Sequence, residues 1–170
     1  MAARGDFFTI LDGVMLATTG DERLAGLLGQ LQPSSLFNAR LLSALSAHRK
    51  GDLQTALAEL RAMDGTTVSF VPYFHGLLAT EAGRDEEAVE AFRRFERPAF
   101  YASDGFEAPW FLARARFLMA RSLDRLGRRD EARKTLDLQL ARWKDADPDL
   151  PLLAQMKTLR ATMGDTRVVK

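Results

Sequence analysis

Three arginines, Arg114, Arg121 and Arg125, stand at i, i+7 and i+11. At about 100° per residue this spacing returns each of them to within roughly 20° of one helical face. Guanidinium groups gathered on one face favour carboxylate or phosphate oxygens, because their planar donor forks match such oxygens two at a time. Asp124 lies beside them, so a solvated face of paired charges is the competing expectation. The only histidines, His48 and His75, lack the spacing of a metal pair and are expected to be packed or surface residues. Asp145-x-Asp147-x-Asp149 opens like a calcium loop, but Leu150 stands where the loop needs glycine and Met156 where it needs a bidentate glutamate. A turn with capping carboxylates is the reading taken there. Neither a glycine-rich phosphate loop nor a Ser/His/Asp set can be assembled, so no catalytic, cofactor-binding or metal-ligating residue is assigned and no cofactor is expected.

Those arginines need a scaffold, and the composition describes one. The chain has 170 residues, 46% of them hydrophobic and 28% charged, which suits one globular domain rather than a disordered one. A formal net charge of +1 gives no bulk attraction to nucleic acid or to an anionic membrane. Without cysteine, disulfides and thiolate sites are excluded, which fits a cytoplasmic protein. Phe7 to Ala17 is apolar, but Asp6 and Asp12 flank and interrupt it, so it is read as a helix and not as a secretory leader.

Helical hairpins recur along the chain. Gly20, Gly51, Gly83 and Gly127 each follow an amphipathic stretch, and each is followed five residues later by alanine: Ala25, Ala56, Ala88 and Ala132. Glycine at such a point supplies the left-handed conformation that ends one helix, and Asp52 can cap the next. The expected hairpins cover about 6–32, 36–63, 69–97 and 110–143, with a closing helix over 150–163. Leu152, Met156, Leu159 and Met163 form that last helix's apolar stripe, and Leu140 and Trp143 complete the stripe begun by Ala132 and Leu136. On the outward face of the third hairpin Glu90 and Arg94 stand at i, i+4 in the favourable order for an ion pair. The turn glycines lie 31, 32 and then 44 residues apart, so an insert over 96–109 separates the last two hairpins. Its rings Phe100, Tyr101 and Phe106, with Trp110 beside it, either plug a gap between hairpins or form a lip for a partner.

A period near 34 with two columns of small residues resembles the tetratricopeptide repeat. The columns read Gly13, Ala44, Gly76, Ala120 and Ala25, Ala56, Ala88, Ala132. The first two units depart from the family pattern, with Thr9, Asp12, Arg40 and Ser43 where large apolar residues are usual. The stretch from Trp143 to Pro151 is similar to the close of the C-terminal repeat arrays of bacterial multi-domain regulators, serine/threonine kinases and winged-helix regulators among them. The resemblance implies an all-α fold, a right-handed α-solenoid of about four hairpins with a C-terminal capping helix, forming a single domain over 1–170. It also implies a non-enzymatic module that docks a protein or peptide segment in a concave groove, as the docking or sensor part of a regulator. In that register Phe70, Tyr73, Leu77, Arg114, Phe117, Arg121 and Arg125 line the groove, and an acidic partner is favoured. Self-association through exposed helices or the aromatic insert is the alternative, and RNA binding through the arginines a weaker one.

Overall fold

The computed structural model describes residues 36–63, 70–97 and 108–164. The expected first hairpin, including Gly20 and Ala25, lies outside the described residues, as do Phe100, Tyr101 and Phe106 of the insert. By contact the chain divides into two compact units, 1–66 and 67–170. All regular structure among the described residues is helical.

The first unit contributes α1 (Leu36–Arg49) and α2 (Leu53–Arg61), which pack as a hairpin. Leu41, Ala44 and Leu45 from α1 and Ala56, Leu57 and Leu60 from α2 fill its interior. Asp52 caps α2 by accepting from the Thr55 backbone N–H at 3.0 Å. Hydrogen bonds from Thr55 hold the Asp52 carboxyl below its ordinary range.

The second unit contributes α3 (Phe70–Glu81), α4 (Asp85–Phe95), α5 (Ala108–Arg125), α6 (Arg129–Arg142) and α7 (Pro151–Thr162). Two hairpins, α3–α4 and α5–α6, stack through α5 against both α3 and α4, and α7 packs on α6 and α5. Helix α5 starts at Ala108 rather than at the expected 110, because Pro109 in a first turn lacks only an N–H that would have no helical partner. Tyr73 is the centre of the core. Its ring meets Phe74 at 5.4 Å, Phe95 at 5.6 Å and Phe111 at 4.8 Å between centroids, the Phe74 and Phe111 contacts edge to face.

One junction is built three times. Gly51, Gly83 and Gly127 have φ of 80°, 70° and 75°, which L side chains rarely adopt. After each, the next N–H returns to a carbonyl five residues back: Asp52 to Ala47 at 2.9 Å, Arg84 to Ala79 at 2.8 Å, Arg128 to Leu123 at 2.8 Å. Each glycine N–H bonds the carbonyl three residues back, completing a Schellman end. The first α-helical bond of the following helix then comes from Ala56, Ala88 and Ala132, donating to Asp52, Arg84 and Arg128. All three alanines are fully buried. The five-residue interval from glycine to alanine is therefore the length of the junction itself.

A second interval pairs large with small. Nine residues after the three turn glycines stand Leu60, Phe92 and Leu136; seven before them stand Ala44, Gly76 and Ala120. The leucines, the alanines and Phe92 are all fully buried. A Cβ on Gly76 would lie 2.6–2.8 Å from the Phe92 ring, so the one aromatic in this column faces the one glycine.

The apolar stripes depart from expectation at two points. In α6 the buried position falls to Gln139, with Leu140 and Trp143 only half-buried and Leu138 exposed, because Gln139 serves a buried arginine described below. In α7 the stripe is Leu153, Met156 and Met163, with Leu152 and Leu159 half-buried, since that helix covers its neighbours along one narrow face.

Gly76→Ala gains helix propensity of about 1 kcal/mol, but overpacking against a buried ring costs about 1–3 kcal/mol, and the sub-3 Å contact makes the second effect win. Urea denaturation should show Gly76→Ala destabilised. Combining it with Phe92→Leu, which gives the alanine and leucine found at these positions in the other hairpins, should cost less than the two single changes together; strict additivity would refute the Gly76–Phe92 pairing.

Candidate functional site

Helix α5 presents four arginines, and the structure divides them in two. Arg116 is buried, its Nε donating to Glu96 Oε1 at 2.7 Å and its Nη1 to Gln139 Oε1 at 2.9 Å. This joins α5 to the end of α4 and to α6, and it satisfies a charge that burial would otherwise penalise by several kcal/mol. Arg116 is absent from the sequence-predicted site, although it interrupts the apolar row of Ala113, Ala120 and Leu123 on α5. A cation at such a position signals a buried acceptor nearby.

Arg125, expected in the groove, grips the turn of the preceding hairpin instead. Its Nε reaches both Asp85 oxygens at 2.9 and 3.0 Å, and its Nη2 also bonds Ser122 Oγ at 3.2 Å. The Arg125 guanidinium holds the Asp85 carboxyl below its ordinary value of 3.8, against partial burial, and the field of Arg121 adds to the effect. The two hairpins are also joined by Arg128 with Glu86 at 3.1 Å and by Arg93, in the last turn of α4, with Glu131 at 2.6 Å. Asp124, the expected counter-charge of the arginine face, pairs with Arg129 at 3.3 Å.

Arg114 and Arg121 remain exposed, and neither forms an ion pair with the described residues. Arg121 stacks over the Phe117 ring at 5.7 Å from its centroid. Phe117 itself is 9% exposed. Leu77 on α3 is half-buried.

Tyr73 is corrected from groove anchor to core residue, being 2% exposed, because its ring closes the aromatic cluster between α3, α4 and α5. Burial pushes its phenol up to about 12, although nearby Arg114 pulls it down. The Phe70 and Trp110 side chains lie outside what is described, though both residues are helical.

His75 is a packed residue, 3% exposed, between α3 and α4. Its Nε2 is 2.6 Å from Glu87 Oε1, and Arg94 Nη2 is 3.1 Å from its Nδ1. Arginine only donates, so Nδ1 accepts and the ring proton sits on Nε2, donated to Glu87. Arg94 thus turns to His75 rather than to Glu90, which stays exposed. At the aspartate run, Asp147 Oδ1 accepts from the Asp149 backbone N–H at 2.9 Å, closing a turn before Pro151 opens α7. Among the described residues no group of three or more His, Asp or Glu is arranged to hold a metal ion, and no helix is long and apolar enough to cross a membrane.

Comparison with known proteins adds no kinship: no protein-family model matches the chain, and neither curated proteins nor solved structures give a match.

Asp85 carries a pH consequence. Its folded-state value lies below 3.8, so its contribution to stability is complete above that value and lost as pH falls through the folded one. Asp85→Asn should lower stability by roughly 1 kcal/mol at pH 7. Chemical denaturation of both proteins from pH 7 to pH 2.5 should show this gap closing in acid; a constant gap would mean the carboxylate charge contributes nothing.

Proposed function

We propose that the chain is a non-enzymatic docking module: a right-handed α-solenoid of tetratricopeptide-like hairpins in which α7 covers the last hairpin and a partner protein lies across α3 and α5. The repeated glycine-to-alanine junction supports the repeat reading. The observation that carries the docking reading is the contrast among the α5 arginines. Arg116 and Arg125 are engaged within the fold, while Arg114 and Arg121 stand exposed without an ion pair among the described residues, on a helix packed against α3, where Leu77 is half-buried. A chain with 23 carboxylates has ample means to neutralise two more cations. Leaving this pair open on a rigid helix suits recognition of something outside the fold. The likeness to arrays in bacterial regulators makes the docking part of such a regulator the favoured setting.

Photo-crosslinking tests this without presuming the partner's charge. A benzoylphenylalanine at Leu77 should yield a discrete heavier adduct in cells that express the protein, whereas the same group at exposed Lys134 on α6 should not. Equal labelling at both positions, or none at Leu77 in a protein with wild-type thermal stability, would sink the reading. An adduct of twice the chain mass would replace it with self-association.

A further inference from the structure

The strip Arg114–Phe117–Arg121 has a definite shape. Its two cations are seven residues apart on one helix, two turns and about 10.5 Å of axial rise, at angular positions roughly 20° apart. The ring between them is 9% exposed, with the Arg121 guanidinium 5.7 Å from its centroid. Two carboxylates of the same region, Asp85 and Asp124, are held by Arg125 and Arg129, and Arg121 acts on Asp85 only through its field. The strip therefore has excess positive charge and little apolar area.

These properties discriminate between occupants. A docked helix depends on apolar anchors at i, i+3, i+4 and i+7 set into a groove. Phe117 and Tyr73 are both buried, Leu77 is half-buried, and the exposed large apolar residue among the described ones is Leu138 on α6. Among the described side chains a helix would find too little to bury. An extended segment needs only charge-assisted hydrogen bonds and a shallow resting place. In a polyproline-II segment side chains three residues apart share a face and lie about 9.3 Å apart along the axis, which is close to the rise between the two arginines.

Resting on the docking reading, we propose that the occupant is an extended acidic protein segment with two carboxylate side chains three residues apart, one bound by Arg114 and the other by Arg121. The residues between them lie over the Arg121–Phe117 stack. Each contact is a guanidinium–carboxylate pair in a partly exposed setting, so binding is salt-sensitive and its specificity lies in charge and spacing more than in apolar fit.

The probe is a fluorescein-labelled, C-terminally amidated ten-residue peptide with Glu-Pro-Leu-Glu at its centre and glycine and serine elsewhere. It is titrated with the full chain by anisotropy at low and high salt. Wild type should bind it and lose affinity as salt rises. Arg114→Glu and Arg121→Glu should each weaken binding by roughly tenfold or more, with Arg114→Gln and Arg121→Gln between them and wild type. Arg142→Glu, which changes another exposed arginine on α6, should leave it unaltered. A peptide with both glutamates replaced by glutamine should not bind, and one with the two glutamates adjacent should bind several-fold more weakly. Absence of binding by the first peptide, equal binding of the glutamine peptide, or equal loss in Arg142→Glu would overturn the proposal. Repeating the Leu77 crosslink in an Arg114→Glu, Arg121→Glu background separates the two readings. A surviving partner adduct overturns the acidic occupant alone, whereas loss of the adduct only in that background supports it.

Discussion

How closely two helices of a hairpin can approach is the constraint behind the second unit. At Gly76 the α3 backbone comes so near the Phe92 ring that a single methyl would overlap it. Only that closeness lets Tyr73, one turn earlier on α3, bring its ring within 5.6 Å of Phe95 and 4.8 Å of Phe111. The aromatic cluster then fixes α5 against the hairpin. With α5 fixed, its arginines have no freedom over which of them meet carboxylates: Arg116 points to Glu96 and Gln139, and Arg125 to Asp85. The outward pair is thus a consequence of inward packing.

The other hairpins reach the same arrangement with different volumes. Leu60 and Leu136 take the place of Phe92, and Ala44 and Ala120 that of Gly76. A larger ring is matched by a smaller partner, as close packing requires when the backbone separation is held by an identical turn. The turn is held identical because the Schellman end needs a left-handed residue and the next helix must start within a fixed number of bonds. Geometry at one glycine thereby sets which residue, five positions on, must be small enough to be wholly enclosed.

That dependence explains what the sequence made legible. Helix ends were readable because they rest on local chemistry: glycine in a left-handed turn, Asp52 as a cap, Pro151 in a first turn. The small columns were readable because close approach leaves few residue types acceptable. The destination of long polar side chains was not. Arg125 shares its helical face with Arg114 and Arg121, and only the fold puts Asp85, 40 residues earlier, in hydrogen-bonding position for Arg125. Glu90 and Arg94 have ideal local spacing, yet Arg94 turns to a buried histidine that no local pattern reveals. Tyr73 occupied a groove position by register, but register cannot say how far a ring sinks between three helices. Nothing local marks Gln139 as the acceptor that buried Arg116 requires.

The two exposed arginines, Arg114 and Arg121, are set by the same packing. An exposed cation is ordinarily worth little comment, because surface charges are solvated and most gain little by pairing. Arg114 and Arg121 differ from that background by contrast with their own helix. On α5 the other two arginines are engaged, and Arg129, from the following helix, holds the aspartate adjacent to Arg125. Arg121 is further constrained by lying on the Phe117 ring, which limits the rotamers that a free side chain would sample and so lowers the entropy lost when an anion binds. A guanidinium so placed, with Asp85 and Asp124 paired to Arg125 and Arg129, would lose less on meeting the proposed anionic occupant than a fully solvated one.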